Sequence, residues 1–206
     1  DINQRKVVGN LYTKGLIDDF QRSGNDTFDI MIYGLSSLGL EDDKEYMAHY
    51  CPASDSEISE YREIDSEGIE YPCIFIISNG YYYIYTCRNI SLYNMNTLQR
   101  KSIITTFPTG RGDGKMINVN NKIFIVRRLS NYIANNVGSI IVVDDNTHQV
   151  IKEIKIPYGG PSDIKYSVCK NRIYITDYFG GKVIEFDPET DLVTDTIRTS
   201  EESKRD

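Results

Sequence analysis

Asp113 and Asp163 stand 50 residues apart in matching surroundings, "GRGDGK" and "GGPSDIK", and carboxylates repeated in this way can serve two chemistries. Converging on one point, they would offer oxygen donors to a divalent metal or a cationic ligand, since hard cations gather several oxygens. Left in their own turns, they would cap neighbouring backbone amides, one turn per repeat. Spacing leaves both open, although residues that carry chemistry usually break the symmetry of a repeat. Arg111, Lys115, Tyr158 and Lys165 flank the pair, and Arg88, Arg127, Arg128, Tyr132, Asp177 and Tyr178 follow strands nearby. Arg and Tyr together point to a recognition surface, because both bring large contact area and directed hydrogen bonds.

Other chemistries find little support. His49 and His148 lie far from the four scattered cysteines, none of which has C-x-x-C spacing, so no zinc pattern forms. Buried free thiols are expected, with one or two disulfides left open. No Ser-His-Asp order or H-E-x-x-H is present, and "GRGDGK" lacks the spacing and Ser/Thr of a phosphate loop. The expectation is therefore a protein with no catalytic residue and no cofactor, the alternative being a divalent metal at Asp113 and Asp163. The Arg111–Asp113 triplet "RGD" is read as accidental in a structural loop. Asn25 and Asn89 fit the glycan-acceptor triplet and matter if the chain is secreted.

The elements that carry these residues repeat. "GRGDGKMINVNNKIFIV" (110–126) lies over "GGPSDIKYSVCKNRIYIT" (159–176), matching Gly110 with Gly160, Asn121 with Asn171, Ile123 with Ile173 and Ile125 with Ile175. "SIIVVDDNTHQVIKEIKI" (139–156) lies over "GKVIEFDPETDLVTDTIRT" (181–199) in a shorter register, matching Asp144 with Asp187 and Thr147 with Thr190. The change of register locates an insertion in 127–138, a loop. A fainter copy runs through 73–107, with Asn79-Gly80 before a Tyr-rich strand. Each unit alternates with period 2 between polar turns, and four short antiparallel strands per 40–50 residues make one propeller blade. The fold class is all-β, a β-propeller of four-stranded antiparallel blades. Blades are placed at about 69–107, 108–156 and 157–199, with a polar tail at 200–206.

The first third, 1–68, reads as a degenerate first blade or an N-terminal extension. Strands are expected within 26–40, 45–50 and 56–64, and Val8, Leu11, Leu16 and Phe20 have helical spacing weakened by Gly9 and Gly15. Three blades and a ragged fourth make a four-bladed ring or part of a larger one, and the incomplete ring is the preferred reading. Tyrosines 81, 82, 83 and 85 are expected to pack the strands.

At this point the units resemble YVTN-type propeller repeats, bacterial surface-associated members in particular, on "NRIYIT", "KVIEFDPETDLV" and "GGPSDI" over about 69–199. The resemblance implies a propeller whose loops gather on one face, and a place outside the cytoplasm. Composition agrees with a folded β protein: sixteen tyrosines, no tryptophan and alanine only at Ala48, Ala53 and Ala134. A net charge of −7 without a basic stripe argues against nucleic acid as partner. No run reaches the roughly 20 apolar residues of a membrane span. The start at Asp1, without a signal-peptide core, is expected of a trimmed, soluble form. The function expected is a non-catalytic binding or scaffold protein that presents its loops to a protein, glycan or small ligand. The alternatives are a metal-assisted propeller hydrolase or lyase, and a structural subunit of a larger assembly, in which an oligomer or partner chain completes the ring.

Overall fold

The structure, a computed structural model, describes residues 16–24, 27–33, 45–51, 61–64, 74–86, 88–107, 114–127, 138–156, 160–177 and 180–198. Among them are four four-stranded antiparallel sheets and no helix. The chain divides into two units, 1–69 with 97–99 and 70–96 with 100–206.

The first unit holds the sheet β1 (Leu16–Arg22), β2 (Phe28–Tyr33), β3 (Glu45–Tyr50) and β4 (Arg62–Glu63), joined in that order. Alternate residues Ile30, Ile32, Tyr46 and Ala48 face one cluster, against which Phe28, Tyr50 and Tyr61 pack. Leu16 and Phe20 belong to a strand, β1, where their spacing allowed a helix. The correction has a local cause: the run "LIDDFQR" pairs along β2, and ladder pairing outweighs a pattern of four residues already interrupted by glycine. Val8 and Leu11 lie outside the described residues.

The second unit holds three sheets, each with its strands in chain order. These are β5 (Ile74–Ser78), β6 (Tyr81–Tyr85), β7 (Asn89–Asn94) and β8 (Arg100–Thr106); β9 (Gly114–Val119), β10 (Lys122–Arg127), β11 (Gly138–Asp144) and β12 (Gln149–Ile156); and β13 (Pro161–Ser167), β14 (Arg172–Asp177), β15 (Lys182–Asp187) and β16 (Leu192–Arg198). The first strands stand together, β9 lying against both β5 and β13.

Period 2 explains the stacking. In the middle sheet Ile123, Ile125, Ile141 and Val143 face the β5–β8 sheet, where they meet Tyr83, Tyr85, Ile90 and Leu92. Their neighbours Phe124, Val126, Ile140 and Val142 face the other way and meet Ile164, Ile173, Ile175, Ile184 and Phe186. A sheet apolar on both faces cannot stand alone, and each buried side chain of this size contributes roughly 1.5–3 kcal/mol to the stack.

Turn chemistry fixes the register. Two-residue turns at Asn79-Gly80 and Asn120-Asn121 take positive φ at both positions (48° and 78°; 52° and 59°), the geometry that matches strand twist and that Asn and Gly tolerate. At the third-to-fourth strand turns, Asp144 Oδ1 accepts from the Asn146 and Thr147 amides, and Asp187 Oδ1 accepts from those of Glu189 and Thr190. These amides hold both carboxyls below the usual aspartate range, with burial opposing them. Cys169 is exposed in the β13–β14 turn, where a buried thiol was expected, because that hairpin loop is four residues long and faces solvent.

Candidate functional site

A buried polar residue closes the second strand of each sheet in the larger unit: Thr86 directly after β6, Arg127 at the end of β10 and Asp177 at the end of β14, at 0%, 5% and 2% exposure. Two of them do the same work. Thr86 Oγ1 accepts from the amides of Arg88 (3.2 Å) and Asn89 (3.0 Å), folding the corner into the third strand. Asp177 Oδ1 accepts from Gly180 (3.0 Å) and from Gly160 (2.7 Å), tying the same corner to the start of β13, while Lys182 Nζ stands 3.5 Å from its other oxygen. A guanidinium has donors only, so Arg127 cannot take this part. The middle blade breaks the symmetry there.

Arg127 is placed by cross-strand register. It pairs with Gly114 on one side and Ser139 on the other, and Ser139 pairs with Lys155. Directly paired residues share a face, so Gly114, Arg127, Ser139 and Lys155 form a row facing the β5–β8 sheet. Lys155 owes its place to a bulge: the register shifts between Val142 and Val143, skipping Ile151. An unbroken ladder would set Ile154 opposite Ser139. One extra residue turns an apolar side chain away and a cation in.

Facing this row is the end of β8. The Phe107 amide donates to the Arg88 carbonyl (2.6 Å), and the Arg127 guanidinium lies over the Phe107 ring at 3.9 Å from its centroid. Gly114 has no side chain because the Tyr85 ring occupies its place: a Cβ there would lie 2.6 Å from Tyr85 Cε1. Between the sheets opens a cleft of about 440 Å³ lined by Thr105, Thr106 and Phe107 from one side and by Arg127, Ser139, Ile141, Val150, Glu153 and Lys155 from the other. Ser139 is 3% exposed, and its hydroxyl has no hydrogen-bond partner among the described residues. An unpaired buried hydroxyl costs free energy unless something completes it.

The remaining sequence candidates separate. Arg88 is exposed at the Thr86 corner, beside the cleft wall. Lys115 lies in β9 paired with Val126, which turns it to the face opposite Arg127. Asp163 and Lys165 lie within β13 and not in the preceding loop; Asp163 Oδ1 accepts from the Ile164 amide (2.9 Å) and stands 3.7 Å from Lys165 Nζ. That carboxylate caps its own backbone. Asn89 is buried, and its carboxamide oxygen accepts from Ser91, the hydroxyl of its own acceptor triplet. Arg111, Asp113, Arg128, Tyr132, Tyr158, Tyr178 and Asn25 lie outside the described residues. No group of three or more His, Cys, Asp or Glu able to hold a metal occurs among the described residues. Sequence reasoning missed Phe107, Ser139 and Lys155; a serine heading the apolar run "SIIVV" was the available signal.

A second polar cluster sits at the opposite end of the same two sheets. Asp145, 1% exposed, accepts from Ser78 Oγ, Asn79 Nδ2 (2.9 Å), Asn118 Nδ2 (3.2 Å) and the Tyr83 hydroxyl (2.7 Å). The Tyr83 oxygen is also 2.6 Å from His148 Nδ1. A phenol has one proton, so donation to Asp145 leaves His148 Nδ1–H as donor and fixes the imidazole tautomer. Burial, then the hydrogen bond to Asp145, pushes the Tyr83 hydroxyl far above the ordinary tyrosine range. Burial, then the Lys101 cation, lowers the His148 pKa against the pull of Asp145 and Asp144. Every member is engaged with another, so this cluster locks two blades together. Of the four tyrosines expected to pack strands, Tyr82, Tyr83 and Tyr85 are buried, and Tyr81 carries Lys101 over its ring at 4.4 Å.

No protein-family model matches the sequence, and no curated protein matches it. Solved structures do resemble it in fold. The WD40 domain of Neurospora crassa Pan2 superposes with a TM-score of 0.59 at 13% identity, over 89% of this chain and 50% of that one. The dihydro-heme d1 dehydrogenase NirN gives 0.56 at 13% identity, over 85% and 36%. A nidogen/laminin complex gives 0.54 at 14% identity, over 84% and 59%. The chain thus spans between about a third and three fifths of these structures. Identity this low speaks for fold alone, and with the four four-stranded antiparallel sheets it makes this an all-β chain of the β-propeller fold.

Proposed function

We propose that this chain is a non-catalytic propeller-type binding module of the YVTN-type, working outside the cytoplasm. It presents the corners of successive blades to a protein, glycan or small ligand. The observation that carries the reading is the broken symmetry at Arg127: where sister blades place an acceptor to fold the corner, this blade places a guanidinium stacked on Phe107 at the wall of a cleft. A rigid stack of sheets holding one irregular corner is the arrangement of a recognition site on a scaffold. The commitment of Asp163 to its own strand supports binding over metal-assisted hydrolysis.

Titrating the isotope-labelled chain with a panel of neutral glycans, small acids and peptides tests this. The expected result is a set of shifted amide resonances at residues 86–89, 107 and 127 without turnover. Ester or lactone turnover that vanishes on chelation and returns with a divalent metal would replace the reading with a hydrolase or lyase built on Asp113 and Asp163. Light-scattering mass that grows with concentration, with no shift from any ligand, would replace it with a structural subunit whose ring another chain completes.

A further inference from the structure

We infer that the cleft between the β5–β8 and β9–β12 sheets binds a carboxylate, held by the row Arg127, Ser139 and Lys155, with an apolar body seated on Phe107, Ile141 and Val150. This rests on the binding reading above and names its ligand class.

Charge selects the ligand. Among the described residues that line the cleft, Arg127 and Lys155 are cationic and Glu153 is anionic. Cations at either end of the row favour an anion, and the Glu153 carboxylate repels a phosphate dianion more than a singly charged carboxylate. Geometry agrees. Arg127, Ser139 and Lys155 are adjacent along one row of the sheet, so a guanidinium and an ammonium flank a hydroxyl at cross-strand spacing. Stacking on Phe107 fixes the plane of the guanidinium, which spares the binding step the entropy of ordering it. Ser139 belongs to the cleft lining and its buried hydroxyl has no partner among the described residues, so a carboxylate oxygen accepting from it would complete it.

The volume agrees as well. About 440 Å³ suits a small organic molecule, and Phe107, Ile141 and Val150 supply the apolar walls such sites use. A carboxylate can come from a small organic acid or from a glutamate in a partner's peptide; both carry the same chemistry.

The experiment is a nuclear magnetic resonance titration of the whole chain with phenylacetate, its neutral isostere phenylacetamide, inorganic phosphate and an acetylated, amidated Gly-Glu-Gly peptide. Phenylacetate is expected to shift the amides of Arg127, Ser139 and Lys155, with phenylacetamide at least 10-fold weaker and phosphate weaker still. Shifts from the peptide alone would place the carboxylate on a protein partner. Lys155→Gln, at an exposed position that leaves the fold intact, should weaken phenylacetate about 5-fold, and Ser139→Ala about 3-fold. Equal binding of phenylacetate and phenylacetamide, preference for phosphate, or no shift in the row from either carboxylate overturns the inference. A neutral glycan shifting residues 86–89 in that last case would leave the binding reading standing without it.

Discussion

Replacing Tyr83 by Phe removes one oxygen from the centre of the Asp145 cluster and leaves the packing of the ring unchanged. The lost hydroxyl donates to Asp145 at 2.7 Å and accepts from His148 at 2.6 Å. Asp145 keeps Ser78, Asn79 and Asn118 as donors, so its carboxylate is not orphaned. His148 is half-buried and finds water in place of the phenol. The net loss is then one hydrogen bond to an acidic acceptor, about 2 kcal/mol. At about 2–4 °C per kcal/mol for a chain of this size, the melting midpoint falls about 4–8 °C. Thermal unfolding followed by circular dichroism checks it, with a urea series to show that the m-value is unchanged. A midpoint within 1 °C of wild type would refute the cluster as a lock between blades. The same hydroxyl sets an alkaline signature. Its folded pKa is raised, so the unfolded chain releases that proton first; the contribution is complete below the ordinary value of 10.0 and is lost as pH climbs from there toward the folded value. Tyr83→Phe should flatten that part of the alkaline limb.

Two further outcomes follow from particular contacts. The lowered pKa of His148, which faces Tyr81, Tyr83, Lys101, Asp144 and Asp145, means that the unfolded chain takes up a proton near 6.5 where the folded one does not. Stability is therefore lost as pH falls through 6.5 toward the folded value; His148→Asn, which suits the positive φ of 58° and keeps an N–H donor, should abolish that slope in a pH series of urea midpoints. Gly114→Ala should cost about 1–3 kcal/mol by denaturant unfolding, because the added methyl meets the buried Tyr85 ring in a packed interface.

Much of the fold was legible because its signals are local. Alternation in "KIFIV" and "RIYIT" announced strands with two buried faces, and Asn79-Gly80 and the Asp144 and Asp187 turns announced where they fold back. The helix-compatible run ending at Phe20 misled for the same reason: four residues of spacing say nothing of the β2 strand that pairs with them.

The site was legible only in part, and the reason is register. Arg127 could be nominated because it ends a strand, but its companions depend on which residues of distant strands stand opposite it. Ser139 follows from the β10–β11 ladder, Lys155 from a bulge at Ile151 that no periodicity displays, and Phe107 from a neighbouring sheet. The same register turned Lys115 away. Symmetry carries the information that spacing lacks. Had Asp177 and Arg127 been compared as equivalent positions, the change from an acceptor that folds a corner to a cation that cannot would have marked the middle blade. A repeat protein states its architecture where its copies agree, and its chemistry is to be sought where one copy departs.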